Sequence, residues 1–338
     1  MSVDMDLVLP VGDYDDLSVL VEQVRRAEEL GYARVSVPEV TGRDAVSLLA
    51  HFAAHTDRIG LSNDVFSPYS RTPALLAQTA TTLQELSDGR YRMGLGTSSP
   101  PVVERWHGRS FDRPLRTLRE CIDVIRQVES GERVDYDGEV FNVGGLRLTC
   151  EAHPAPVDVA ALGPKAVELA GRFADGWVPQ LFTPDGLRER LADFRRGADL
   201  GGRDPDDLRT ALTLRCCALE DGERAREAAR GQVAFMIATY GPYYRESVAR
   251  QGHEDVTDEI HRLWEAGERE AAVEALPDGL LSDLAAAGTP EAVRETVERF
   301  AAVDGLDAVR VGSFGRLDHD ARLATMEALA PATVEFGE

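Results

Sequence analysis

The chain carries 37 basic residues, and Lys165 is its only lysine; every other one is arginine. That ammonium stands in Gly163-Pro164-Lys165-Ala166, where an apolar run over 157–162 gives way to a helical pattern over 165–173. Glycine before the first turn, proline at the first helical position and a cation beside free backbone N–H groups describe an anion site. The chemistry of such a turn is to hold a phosphate, with the Lys165 ammonium and the amides of Gly163 and Ala166 as donors. Chance is the competing reading, since one lysine must fall somewhere and proline commonly opens helices. Other reactive residue types offer less. Cys121, Cys150, Cys216 and Cys217 lack metal-ligand spacing, and adjacent Cys216 and Cys217 would point to opposite faces of a strand. All four read as reduced packing residues. His51, His55, His153, His253, His261 and His319 show no ligand spacing with Asp, Glu or Cys, so no metal is expected.

The elements that must position the Gly163 turn alternate in type. Short β-rich runs fall at 7–9, 33–37, 59–66, 91–95, 157–162, 177–181, 210–218 and 307–311. Between them lie amphipathic helices. One aligns Leu17, Leu20, Val24, Ala27 and Leu30 and stops at Gly31; others align Leu76, Ala80, Leu83 and Leu86, then Leu115, Leu118, Ile122 and Ile125, then Val293, Val297 and Phe300. Three helices open on Thr-Pro, at Thr72, Thr183 and Thr289. Eight strand–helix units without a mid-chain linker predict an α/β fold, a single (β/α)8 TIM barrel over 1–338 rather than a doubly wound sheet. Two stretches interrupt the alternation. A hairpin over about 134–150, turning at Asp137-Gly138 and Gly144-Gly145, follows strand four. A helical insertion over about 221–285 follows strand seven. Within it, Phe235 to Tyr244 is an apolar and aromatic run around Gly241-Pro242 that would cap a pocket or form a subunit contact. A barrel keeps its active site at the C-terminal ends of its strands. Those ends are 10–13, 38–41, 63–67, 96–99, 163–165, 179–182, 217–220 and 312–316.

Composition narrows the partners. The formal net charge is −22, from 59 acidic against 37 basic residues. Such a field repels nucleic acid and anionic lipid. No apolar run is long enough for a membrane helix, and the N-terminus lacks a basic region ahead of its apolar residues, so it does not read as a signal peptide. A cytoplasmic protein acting on a small molecule is expected. Dispersed surface acid with arginine in place of lysine also suggests adaptation to high salt, as in a halophilic archaeon, because salt screens self-repulsion.

Several strand ends resemble one known family. Ser62-Asn63-Asp64-Val65-Phe66-Ser67-Pro68-Tyr69-Ser70-Arg71-Thr72-Pro73, then Gln84 to Arg90, then Gly94-Leu95-Gly96-Thr97, is similar to the luciferase-like flavin and deazaflavin oxidoreductases. Leu162-Gly163-Pro164-Lys165, with Glu168-Leu169-Ala170 and Ala174-Asp175-Gly176-Trp177, resembles a second signature of that family, and Ala287-Gly288-Thr289-Pro290-Glu291 a third. The resemblance spans nearly the whole chain. It implies a (β/α)8 barrel that binds FMN or coenzyme F420 and in many members forms a homodimer. The stretch from Asn63 to Pro73 is closer to the F420-dependent branch, and particularly to methylenetetrahydromethanopterin reductases. By the same resemblance the cofactor phosphate lies at Gly163, Pro164, Lys165 and Ala166. The ring lies at Asn63, Asp64, Val65, Gly96 and Thr97, with a non-prolyl cis peptide at Asp64–Val65.

The departures from that family bear on the substrate. Its F420 dehydrogenases carry Asp-His, and its luciferases Glu-His, at the end of strand two. Here Glu39 keeps the acid but Val40 replaces the histidine. The reductases' glutamate near the end of strand one is absent from Leu9-Pro10-Val11. The sugar-phosphate dehydrogenases' glutamate after strand four is replaced by Ser98-Ser99-Pro100. The implied activity is hydride transfer between C5 of F420 and a small organic substrate. An FMN-dependent monooxygenase, and a barrel that binds a flavin or pterin without turnover, are the alternatives. Glu39 handles a proton or else bonds backbone N–H groups of the next loop. His107, in the loop after strand four, is a second proton-transfer candidate or an inert loop histidine. Tyr69 and Arg71 meet substrate or the cofactor tail, unless Arg71 simply pairs with a carboxylate.

Overall fold

A computed structural model describes residues 3–12, 14, 16–315 and 317–337. Asp13 and Arg316, at two of the expected strand ends, lie outside the described residues. Eight parallel strands follow one another around a ring: β1 (Asp4–Val8), β2 (Arg34–Pro38), β3 (Gly60–Asp64), β4 (Tyr91–Leu95), β5 (Val157–Ala160), β6 (Gly176–Val178), β7 (Arg209–Ala218) and β8 (Ala308–Gly312). Each pairs with the next, and β8 pairs with β1 through Asp4–Ala308 to Val8–Gly312, which closes the sheet into a barrel. The fold is a (β/α)8 TIM barrel, as the alternation predicts.

The helices form where the sequence caps them. Thr72, Thr183 and Thr289 each accept an amide hydrogen bond from three residues on, and proline follows each. Asp44 and Asp318 act in the same way on their own helices, and Asp16 accepts from Ser18, two residues on. A hydroxyl or carboxylate at that position satisfies an amide that the helix cannot. The helix Leu17–Glu29 buries Leu20, Val24 and Ala27 and ends before Gly31, whose φ of 86° suits glycine. The main apolar core lies between the ring of strands and these helices, with Phe52, Leu83, Tyr91, Ile125 and Trp177 buried in it.

The barrel interior is polar at its lower end. Arg209 donates to Asp6 at 2.8 Å, and Arg92 grips both oxygens of Asp158 at 2.9 and 2.5 Å. Arg34 donates to the carbonyls of Leu61 and Arg90. One step higher, Ser36 and Ser62 hydroxyls meet at 2.6 Å.

The expected interruptions are present, with two corrections. The hairpin strands Asp135–Asp137 and Asn142–Gly144 pair, and the Glu120 carboxylate holds the turn through the amides of 139–141. The insertion after β7 is helical from Gly222 to Leu284, but it ends in a strand, Ala285–Gly288, that pairs with the upper half of β7. Four consecutive small residues gave no periodic signal for it. The insertion has a core of its own. Ala229, Val233, Ile237, Val248, Ile260 and Leu281 pack on Leu181, Cys217 and Phe314 from the barrel. It therefore sits over the C-terminal ends of β6, β7 and β8. The second correction concerns Cys150, which is exposed in the loop after the hairpin rather than packed; Cys121, Cys216 and Cys217 are buried, and all four are free thiols.

Candidate active site

The C-terminal ends of the strands form an opening whose walls differ in character. On one side β3 ends at a non-prolyl cis peptide, Asp64–Val65. Strand β4 runs close against this bulge because it carries glycines. A Cβ on Gly94 would stand 2.3 Å from the Asn63 carbonyl oxygen, and one on Gly96 would stand 2.6 Å from a Val65 methyl. Asn63 turns outward and is consumed in pinning the two strands. Its amide donates to the Gly94 carbonyl, and its oxygen accepts from Gly94 N–H and the Tyr91 hydroxyl. Asp64 turns inward and meets Arg310 at 3.1 Å; Arg310 also donates to the Thr213 hydroxyl at 2.9 Å. Thr97 is half-buried just beyond, ahead of Ser98 with φ of 62°.

Glu39 and Arg71 come together beside this bulge, and Tyr69 turns to the segment after β4. Arg71 donates to both Glu39 oxygens at 3.1 and 3.0 Å and to Asp44 at 2.5 Å, with its guanidinium over the Phe66 ring. Glu39 also accepts from the Ala45 amide at 2.9 Å. It thus makes the backbone contact that the sequence allowed, and Arg71 makes the carboxylate pair. Burial raises the Asp44 carboxyl, but hydrogen bonds from Ser47 and Arg71 outweigh it and hold the group below the usual range. The Tyr69 hydroxyl donates to the Asp112 carbonyl at 2.6 Å, and its ring stacks on Phe111. His107 is half-buried at the end of the turn Pro101–Trp106, next to exposed Trp106.

The Gly163 turn stands at the end of β5. Gly163 caps the helix Pro164–Phe173 with no side chain, and Lys165 is exposed. Among the described residues the amides of Gly163 and Lys165 find no acceptor, whereas Ala166 N–H donates to the Gly163 carbonyl at 3.0 Å. The free donors are therefore those of Gly163 and Lys165, and the Ala166 amide is already used. The space a Cβ on Gly163 would occupy is open, with Arg250 Nη1 4.0 Å from it. An anionic group fits this turn: two free amides, an exposed lysine on the first helical turn, and a guanidinium nearby that is itself paired with Glu246.

Several groups here escaped the sequence reading. Arg250 comes from the insertion. Its neighbour Gln251 staples the insertion to the barrel, accepting from Thr183 N–H at 2.7 Å and donating to the Leu181 carbonyl at 3.1 Å. Tyr244, from the insertion helix Pro242–Val248, is half-buried near the opening. Burial pushes its phenol up to about 12, with Arg215 easing and Asp64 reinforcing the shift, so the hydroxyl stays protonated at neutral pH. Arg215 and Gln180 lie on the inner wall of β7 and just past β6. No local signal marked Arg250, Gln251, Arg215 or Gln180, because their placement depends on strand register and on how the insertion docks; Tyr244 belongs to the aromatic run expected to cap a pocket or form a subunit contact. Among the described residues no group of three or more His, Cys, Asp or Glu converges in a way that could hold a metal, and no helix is long and apolar enough to cross a membrane.

Comparison with known proteins places this geometry. Residues 4–308 match the luciferase-like monooxygenase family. A Mycobacterium tuberculosis protein provisionally named a coenzyme F420-dependent oxidoreductase is 32% identical over 294 residues, covering 81% of this chain and 85% of its own. The 5,10-methylenetetrahydromethanopterin reductase of Archaeoglobus fulgidus is 28% identical over 293 residues, covering 86% and 88%. Among solved structures, the coenzyme F420-dependent tetrahydromethanopterin reductase of Methanopyrus kandleri superposes with a TM-score of 0.84 at 21% identity, covering 98% of each chain.

Proposed function

The chain is an enzyme of the luciferase-like monooxygenase family, and we propose that within it the protein is a coenzyme F420-dependent oxidoreductase acting on a small organic substrate. The observation that carries this reading is the close approach of β4 to the Asp64–Val65 bulge, where Gly94 and Gly96 lack the Cβ atoms that would meet Asn63 and Val65. The bulge lies at the same end of the barrel as the anion cradle at Gly163, two strands away. A flat ring and a phosphate on one molecule would use both. The names of the relatives favour F420 over FMN as that molecule.

Bound F420 would supply hydride transfer at its C5. The chain's own residues bind and orient. Gly163 and Lys165 take the phosphate. Asp64, Val65, Gly96 and Thr97 form the wall for the ring, with Asp64 held by Arg310. Glu39 works through Arg71: their two-point pairing and the Ala45 contact fix the loop that follows β2. Tyr69 holds the segment after β4 through Asp112. The insertion covers one side of the opening and keeps water out. The acidic, lysine-poor surface suits a salt-rich solvent.

The test is to titrate the purified protein separately with F420 and with FMN and follow fluorescence. Saturable F420 binding at least about tenfold tighter than FMN is expected, the scale of one charge-assisted contact. Tighter FMN binding would favour a monooxygenase, and binding of neither would remove the reading.

A further inference from the structure

Inside this barrel three arginines come with carboxylates: Arg92 with Asp158, Arg209 with Asp6, Arg310 with Asp64. Arg34 and Arg215 do not. Arg34 donates to two backbone carbonyls and lines a water-sized cavity with Asp6 at the lower end; the fifth is Arg215, near the C-terminal end. Among the described residues it makes no ion pair. Its Nη1 donates to the Ser313 carbonyl at 2.7 Å, and its Nε is buried without an acceptor. A half-buried guanidinium with an orphaned donor and no counter-charge carries a desolvation cost that a bound anion would offset. Gln180 repeats the pattern, since its Nε2 is also buried without an acceptor.

The two orphans belong to one wall. Gln180 bridges to Thr213, so their side chains share a face. That face is the inner one, because the Thr213 hydroxyl accepts from Arg310, which in turn reaches Asp64. Arg215 is two residues beyond Thr213, on the same face and about 6–7 Å nearer the opening. Glycine at position 312, the β8 neighbour of Arg215, leaves room for the guanidinium, with a Cβ there only 3.2 Å from Arg215 Cδ. Tyr244 adds a third donor, since its hydroxyl has no partner among the described residues and Arg215 and Asp64 both act on it.

We propose that Arg215 and Gln180 form a subsite for the carboxylate of the substrate, which is therefore a small organic acid. Both orphaned atoms are donors, so the missing partner is an acceptor. Charge decides its kind. Arg215, Arg310 and Asp64 together leave one positive charge in excess, which a carboxylate balances. A phosphate monoester, at about −1.5 to −2, would leave uncompensated negative charge there. The cofactor's own phosphate has its cradle at the end of β5, on a different strand.

The inference rests on the F420 reading for its place in the reaction, and the test separates the two. Wild type, R215Q, R215K and Q180L are first titrated with F420. Each loaded protein is then titrated calorimetrically with acetate, pyruvate and benzoate, and with the neutral amides of the same acids. At least one carboxylate should bind wild type saturably and its amide should not. R215Q should lose about tenfold or more in that affinity, R215K should recover part of it, and Q180L should lose less. F420 affinity should change by less than about twofold in all three variants. The proposal is overturned if no carboxylate binds, if R215Q binds it as well as wild type does, or if R215Q loses F420 while carboxylate binding is unchanged. Should wild type fail to take F420, the F420 reading falls, and the same carboxylate titrations on the unloaded protein decide this one.

Discussion

The two ends of the barrel interior hold similar residues to different effect. At the lower end, Asp158 pairs with Arg92 and Asp6 with Arg209, and Arg34 adds a third guanidinium bonded to backbone carbonyls. The leftover atoms of this end are an acceptor, Asp6 Oδ1, and a donor, Arg34 Nε. Both residues line an internal cavity of about 10 Å³, the space of one water molecule. At the upper end the leftover atoms, Arg215 Nε and Gln180 Nε2, are both donors. A leftover donor and a leftover acceptor that share a water-sized cavity can be satisfied together by one bridging water. Groups of one polarity facing an opening are complementary to something that arrives from outside.

That contrast is open to being broken by substitution. D158N should remove the charge partner of Arg92 in the sealed layer and destabilise the fold by about 3–5 kcal/mol in urea unfolding. R215Q, at the open end, should shift stability by no more than about 1 kcal/mol. Equal effects would mean that the two ends do the same job.

The difference should also depend on pH. Burial pushes the Asp158 carboxyl up, but the hydrogen-bonded Arg92 guanidinium, helped by Arg209 and Arg34, brings it below its ordinary value. A depressed folded pKa contributes stability that is present above the unfolded value, near 4, and is lost as pH falls through the folded value. The gap between wild type and D158N should therefore be full at pH 7 and narrow as pH drops below about 4. A gap that widens in acid would contradict the pairing.

At the opening, K165A sharpens the comparison in the other direction. The exposed Lys165 ammonium should matter little to folding, and its loss should weaken F420 binding by about 1–2 kcal/mol. An unchanged dissociation constant would remove Lys165 from the phosphate cradle. The smallest effect concerns the outer surface. The net charge of −22 makes self-repulsion a surface property. Raising KCl from low to molar should therefore raise Tm, and it should leave the D158N deficit nearly intact because sealed charges escape screening. Thermal scans at the two salt levels check both statements.

Much of the fold was legible because its signals are local. Thr-Pro caps, glycine stops and apolar spacing each depend on a few consecutive residues, and they located the helices opening at Thr72, Thr183 and Thr289 to the residue. The Asp64–Val65 cis bond was reached through the family resemblance rather than through any rule about Asp-Val. What stayed hidden is long-range. Asp6 and Arg209 are about two hundred residues apart in sequence, and only barrel closure brings them into contact. Ala285–Gly288 is a strand because β7 extends past its neighbours and offers an edge. Arg215 read as one charged residue in a strand. Its isolation emerges only once Arg310 is seen to have Asp64 and Arg215 to have no carboxylate among the described residues. Of the expected site residues, Asn63 and the Ala166 amide are spent on internal hydrogen bonds, and Glu39 is committed to Arg71 and Ala45.

The most direct test is a crystal structure of this protein with F420. The account expects the ring against Asp64–Val65 and the phosphate on Gly163 and Lys165, with Arg215 left facing the substrate side. A ring seated elsewhere, or a phosphate bound to Arg215 instead, would contradict it.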